Sequence, residues 1–303
     1  MDYVTSLADL PVLSGTAVTI GKFDGLHRGH RRLVDNVLRQ KEMGRRAIMA
    51  AIDVNGQWIL SRRERRFLCE RLGIDLLAEL PFTPSLRDMT AKDFVREILL
   101  GSLGASYVTV GESFRFGKGR AGDALFLRNM GKEYGFTVEI APSVMDGKVK
   151  VSSTTIRQEL SLGNMERVSS LLGAAYFAEG SVVHGKGLGK KSLLPTINVV
   201  PEEEKLLPPN GVYFTRTHLE GKSFEGITNV GCKPTVQGEG IGIETHLFSC
   251  EGDLYGKWCR TEFLHHSRPE RTFASLAELK ERLEADQREG RAFFEKLREG
   301  ENK

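Results

Sequence analysis

Long hydrophobic runs are missing from this 303-residue chain. No apolar stretch reaches the roughly 20 residues that a membrane-crossing helix needs. The N-terminus, MDYVTSLADLPVL, has no basic segment followed by an apolar core, so it does not read as a secretory leader. Cysteine is scarce. Cys69, Cys232, Cys250 and Cys259 are the four present, no two form a C-x-x-C pair, and their spacing matches no metal or disulfide framework. Reduced thiols in a cytoplasmic protein are expected. Charge of one sign is lacking too: 43 Lys and Arg face 40 Asp and Glu, a formal net charge of +3. That excess calls for neither a nucleic acid nor a membrane surface as partner, and it suits a protein that handles small anionic molecules. There is no internal repeat and no low-complexity tract, and nothing in the sequence sets an oligomeric state.

What is present is ordinary for a globular protein, with 40% hydrophobic and 27% charged residues. At roughly 150 residues per domain the length predicts two domains, each long enough for its own core. The first half alternates strand-like and helix-like segments. Strands are expected at 16–20, 47–52, 74–77, 107–110 and 137–140, and helices at 30–43, 62–72, 91–100 and 124–134. That alternation predicts an α/β domain, a parallel sheet with helices on both faces. Two short helices broken at Gly163-Asn164 read as a connection. After Gly180 come short strand-like runs separated by turn signals such as Pro208-Pro209-Asn210-Gly211 and Gly238 to Gly240, which predicts a small antiparallel β-barrel. A final helix opens on a capping-box pair, Ser275 and Glu278, with Leu276, Leu279 and Leu283 as its apolar stripe.

Chemistry concentrates first between Gly21 and His30, in the string GKFDGLHRGH. It follows a strand and opens a helix, the place where an open α/β sheet binds its ligand. The glycines allow backbone to approach phosphate closely, and the helix start supplies free amides. His27 and His30, with Gly29 between them, can face the same phosphates as hydrogen-bond donors during attack on a nucleotide α-phosphate. A second concentration spans Gly180 to Glu244. The glycine- and lysine-rich string from Gly180 to Lys191 has no Walker register, but as a backbone nest it can cradle phosphate. Further on, Thr196 and Asn198 stand two apart on a predicted strand, so a hydroxyl and an amide share one face. Oxygen ligands of that kind suit Mg²⁺.

HxGH is the signature of a nucleotidyltransferase superfamily, and the longer string resembles its flavin-adenylyltransferase branch. Leu80-Pro81-Phe82-Thr83, the loop Val110 to Gly117 with Arg120 to Asp123, and Val151-Ser152-Ser153-Thr154-Thr155-Ile156-Arg157 are similar to three further elements of that family, in its order. The strings around Thr196, Gly211-Val212-Tyr213, Asn229 to Thr235, Glu244 and Arg268 to Phe273 resemble the riboflavin kinase module. The chain therefore resembles the bacterial bifunctional riboflavin kinase/FAD synthetase family. The resemblance implies a Rossmann-like adenylyltransferase domain over 1–157, a helical linker over 158–178, and a kinase β-barrel with a terminal helix over 179–303. It implies ATP, riboflavin, FMN and FAD as substrates or products and Mg²⁺ as cofactor. It implies that His27 and His30 act on the ATP phosphates and that Gly21, Phe23, Asp24 and Gly25 shape the nucleotide site. Phe114, Phe116 and Gly117 would belong to the flavin loop, while Ser153, Thr154 and Arg157 close on phosphates. In the second domain Gly185, Gly187, Gly189 and Lys190 would cradle phosphate, Thr196 and Asn198 hold Mg²⁺, and Glu244 serve as general base. The sequence departs from the family pattern at Leu193, Ser113, Thr155, Ile52 and Asp53-Val54-Asn55-Gly56. Two alternative readings stand beside the bifunctional enzyme: a chain with one live activity, or a flavin- or nucleotide-binding regulator.

Overall fold

The structure is a computed structural model that describes residues 1–54, 56–183, 196–235, 238–249 and 254–301. The chain packs as two compact units, Met1–Ser153 and Thr154–Lys303. The first contains β1 (Asp2–Val4), β2 (Thr16–Gly21), α1 (Arg28–Glu42), β3 (Ala47–Asp53), α2 (Arg62–Leu72), β4 (Leu76–Pro81), α3 (Pro84–Asp88), α4 (Ala91–Asp93), β5 (Ala105–Gly111), β6 (Arg115–Phe116), β7 (Gly122–Asp123), α5 (Ala124–Tyr134), β8 (Thr137–Ala141) and a hairpin of β9 (Met145–Asp146) and β10 (Val149–Lys150). Six of these strands form one sheet in the order β1-β4-β3-β2-β5-β8, every pairing parallel. The expected Rossmann-like α/β architecture is present.

The strands read as unbroken apolar runs because helices cover both faces. In β3 the first five residues, Ala47 to Ala51, are all fully buried. Helix ends are set by local chemistry. Ser61 and Glu64 close a reciprocal capping box on α2, and Gly73 in the left-handed region (φ 86°) ends it. Three features differ from the sequence reading. Strand β4 runs on to Pro81 where the pattern predicted an end near Leu77, because Glu79 interrupts the apolar run yet is buried against the guanidinium of Arg65 at 2.6 Å. The helix expected over 91–100 becomes π-helical from Phe94 to Ser102, closing with Leu103 N–H donating to Ile98 O. The short β1 was not legible, and it pairs with β4 on the sheet edge.

The second unit starts with α6 (Ser153–Ser161), whose first residue closes the first unit, and α7 (Met165–Leu172). Then β11 (Tyr176–Val183), β12 (Thr196–Val199), β13 (Gly211–Leu219), β14 (Lys222–Thr235), β15 (Gly238–Leu247) and β16 (Trp258–Pro269) close a barrel in the order β11-β12-β15-β14-β13-β16, all antiparallel. Closure leaves no sheet edge exposed. The glycines at 238–240, which predicted a turn, sit in the β14–β15 ladder instead, because main-chain pairing of a long hairpin outweighs glycine's weak strand preference. Tyr176, Tyr213 and Phe263 fill the barrel, and the buried hydroxyls of Thr215, Thr228 and Thr245 satisfy one another at 2.7 and 2.8 Å.

Helix α8 (Leu276–Glu301) follows, and its Ser275 cap accepts from Glu278 N–H. Its buried face differs from the predicted stripe. Leu276 is exposed, while Asp286, Gly290 and Phe294, four residues apart in turn, are buried. The charge in that face is compensated, since the Asp286 carboxylate accepts from Arg268 (2.6 and 3.0 Å) and Arg282 (2.7 Å).

Candidate functional site

The sheet order reverses direction at β2 and β5. From β2 the chain winds outward through β3 and β4, then returns beside β2 as β5 and continues to β8. Ligands of such sheets bind outside the carboxyl ends of the strands at that reversal. The turn after β2 carries GKFDGLHRGH, and the turn after β5 carries the phenylalanine- and glycine-rich loop. The topology thus brings the two strings together at one crevice.

The turn from Gly21 to His27 is held open by unusual backbone. Phe23 (φ 49°), Gly25 (φ 95°) and Leu26 (φ 44°) all lie in the left-handed region, a cost that packing must offset. Phe23 is fully buried and meets the His30 ring edge-on at 5.1 Å. The Asp24 carboxylate accepts from Ile59 N–H at 2.7 Å, and Asp24 O accepts from Ser153 Oγ at 2.7 Å. Asp24 and Ser153 therefore fasten this turn to the segment before α2 and to the last residue of the first unit. His27 is the N-cap of α1: its Nδ1 accepts from His30 N–H at 3.2 Å. That bond fixes the tautomer, leaving the ring proton on Nε2 as a free donor. The two imidazoles stack with centroids 3.6 Å apart. A Cβ on Gly29 would lie 3.1 Å from His27 Cε1, so the close approach of the His27 ring accounts for glycine there.

Burial pushes the His27 imidazole down to about 4 and holds His30 well below its usual value, with the neighbouring His27 adding to the effect. Both rings are neutral at neutral pH. His30 Nδ1 is buried with no hydrogen-bond partner, although the residue as a whole keeps partial exposure. The arrangement is a pair of neutral donors at the positive end of a helix, which is chemistry for a phosphate.

In the second loop, β6 and β7 form a two-stranded ladder. Phe116 belongs to the hydrophobic core, packed on Phe94 at 5.2 Å. Phe114 stacks on Phe116 at 5.3 Å and stays partly exposed, so it is the ring free to meet a planar ligand. Gly117 (φ 71°) has Ala91 backbone 2.7 Å from where a Cβ would be. Thr154 is exposed at the start of α6, and Arg157 lies in the second unit, lining a cavity of about 230 Å³ with Leu160, Ser161, Leu206, Leu207 and Pro209.

In the barrel, Thr196 donates Oγ1–H to Glu244 Oε1 at 2.8 Å. Asn198 stands opposite Glu244 across β12 and β15, and Asn229 stands opposite Glu244 across β15 and β14. Hydroxyl, two amides and carboxylate thus form one polar row on the half-exposed face, alternating with buried Ile197, Val199, Ile243 and Thr245. The sequence reading gave Asn229 no role, although its alternation with buried Thr228 and Val230 was the signal. Gly185, Gly187, Gly189 and Lys190 lie outside the described residues. Among the described residues, Cys69 and Cys259 are free and buried, no group of three His, Cys, Asp or Glu could hold a metal, and no helix is long and apolar enough to cross a membrane.

Comparison with known proteins follows this division. Residues 10–155 match the family described as FAD synthetase, and residues 172–294 match riboflavin kinase. Those two matches define the class, a transferase with two catalytic modules in one chain. The chain is 36% identical to the bifunctional riboflavin kinase/FMN adenylyltransferase of Escherichia coli K12, covering 92% of this chain and 93% of that one. The protein of the same description from Pseudomonas fluorescens is 34% identical, with 96% and 97% covered. The chain belongs to the bifunctional riboflavin kinase/FMN adenylyltransferase family. A solved Streptococcus pneumoniae structure described as a macrolide-efflux protein has the same fold, with a TM-score of 0.83 and 27% identity over 95% of this chain and 98% of that one.

Proposed function

We infer that this chain phosphorylates riboflavin to FMN in its C-terminal module and adenylylates FMN to FAD in its N-terminal module, with ATP as the donor both times. In this reading residues 1–157 form the adenylyltransferase, 158–178 connect, and 179–303 form the kinase. The observation that supports it most directly is the pairing, in one chain, of a capped and stacked histidine pair at a switch-point turn with a Thr–Asn–Glu row on a closed barrel.

In the kinase, Glu244 takes the proton of the terminal ribityl hydroxyl as that oxygen bonds to the γ-phosphorus of ATP. The bond from that phosphorus to the bridging oxygen breaks, and ADP leaves. The Thr196 hydroxyl fixes the orientation of the carboxylate. With its O–H directed at Glu244, the Thr196 oxygen turns lone pairs outward, and with the Asn198 amide oxygen it makes an all-oxygen set that fits Mg²⁺. Bound by these residues, the ion would neutralise charge on the transferring phosphate.

In the adenylyltransferase, a phosphate oxygen of FMN attacks the α-phosphorus of ATP, the α–β bridging bond breaks, and pyrophosphate leaves. His27, through Nε2–H, and His30 donate to the oxygens of the attacked phosphate. Neutral rings suit this task, since they add directed donors without binding the ground-state charge as tightly as cations. Phe114 offers its exposed face to the isoalloxazine ring. Gly21, Phe23, Asp24, Gly25 and Ser153 keep the turn in place, and Phe116 and Gly117 support the loop.

The test is incubation of the full chain with riboflavin, ATP and MgCl₂, followed by chromatography. FAD is expected. FMN alone would leave only the kinase, and flavin bound without product would make the chain a regulator.

A further inference from the structure

Asp53 ends β3, beside the turn just described, and its carboxylate is only half used. The side chain is 10% exposed. One oxygen, Oδ2, is held by the guanidinium of Arg62, the first residue of α2. The other, Oδ1, is buried with no hydrogen-bond partner. A buried carboxylate oxygen left bare costs folding free energy and is uncommon in native proteins. It persists where a site is built for something else to meet it.

The position says where that partner would come from. In the β2–β3 register Ala51 faces Gly21, the last residue of β2, so Asp53, two residues on and paired with Pro81, lies at the carboxyl end of the sheet. That is the end of an open α/β sheet at which its ligand binds, the same end that carries the turn before α1. The segment between Asp53 and α2 is fastened to the same turn through Ile59 N–H and Asp24. The chemistry says what the partner is. A carboxylate is an acceptor, so a phosphate oxygen is repelled. The Arg62 charge already balances it, and among the described residues no acidic or imidazole cluster could share a metal with it. What remains is a neutral donor, and in ATP and FMN the donors nearest the phosphates are the sugar-chain hydroxyls.

We propose that Asp53, oriented by Arg62, is a specificity-determining residue of the adenylyltransferase, its Oδ1 accepting a hydrogen bond from a sugar-type hydroxyl of the substrate. Ribose of ATP and the ribityl chain of FMN share this chemistry. The proposal rests on the adenylyltransferase reading of the first unit.

The test compares Asp53→Ala and Asp53→Asn with wild type in the full chain, measuring KM and kcat for ATP and for FMN separately in FAD formation. Thermal unfolding of the first unit in the same samples reports whether that unit is folded, and riboflavin phosphorylation reports on the second. Loss of a hydrogen bond to a charged acceptor is expected to raise one KM roughly tenfold to a hundredfold in Asp53→Ala. Asp53→Asn, which keeps an acceptor oxygen, should lose less. If the ribose is the partner, the ATP KM moves, and either 2′-deoxy-ATP or 3′-deoxy-ATP loses its handicap in Asp53→Ala. If the ribityl chain is the partner, only the FMN KM moves. Both KM values within twofold of wild type in both variants would overturn the proposal, as would a fall in kcat alone. Wild-type protein that makes no FAD would instead refute the activity on which the proposal rests.

Discussion

Replacing His27 by Asn separates the two tasks that the structure gives this residue. Asn is a good N-cap and can accept from the His30 N–H, so the start of α1 should survive. The Nε2–H donor is gone, and the loss of one preorganised donor to a developing phosphate charge is expected to slow FAD formation by about 10²- to 10³-fold. His27→Ala removes both functions and should also lose about 1 kcal/mol of stability in the first unit. The pH dependence adds an independent check. Burial lowers the imidazole from 6.5 to about 4. Between those values the unfolded chain takes up a proton that the folded chain refuses, so stability falls as pH drops from about 6.5 towards 4 and is fully present above that window. The difference corresponds to about 3 kcal/mol, from about 1.4 kcal/mol per unit. Urea unfolding of the first unit, followed through buried Trp58, should therefore weaken from pH 7 to pH 4.5 more in wild type than in His27→Asn. Riboflavin phosphorylation should be untouched in both variants. FAD formation by His27→Asn within threefold of wild type would refute the assigned donor, and identical pH slopes would refute the buried neutral ring.

Three other outcomes test the remainder. Glu244→Gln should lower riboflavin phosphorylation by about 10²- to 10⁴-fold while FAD formation from supplied FMN continues, read by product chromatography. Gly117→Ala places a Cβ 2.7 Å from Ala91 backbone at a positive φ, so thermal unfolding of the first unit should drop by about 1–3 kcal/mol, with a raised KM for FMN. Asp286→Ala strands the Arg268 guanidinium against the barrel, while Arg282 keeps Glu289 at 2.8 Å. Loss of one partner from such a buried network costs about 3–5 kcal/mol, and faster amide exchange along α8 would report it.

The fold was legible because periodicity records burial. Parallel strands covered on both faces must be apolar throughout, and β2, β3 and β5 could be read that way. The barrel showed itself through short alternating runs. Where a charged residue is buried with its partner, the pattern gave a false reading. Glu79 shortened β4 and Asp286 hid the true face of α8, because only the fold brings Arg65 and Arg268 to them.

Residue identity at the two sites came from the sequence alone: His27, His30, Thr196, Asn198 and Glu244 stand in strings whose order already points to phosphate chemistry. Tertiary structure decided how those groups are prepared. It folded the His27 ring back as a helix cap, which sets its tautomer, and buried it, which removes its charge. It committed Asp24 and Phe116 to holding the turn and the core, and it left one oxygen of Asp53 bare. Linear sequence fixes which atoms are available, but desolvation and hydrogen-bond partnership depend on residues far apart in the chain and exist only once the strands have paired.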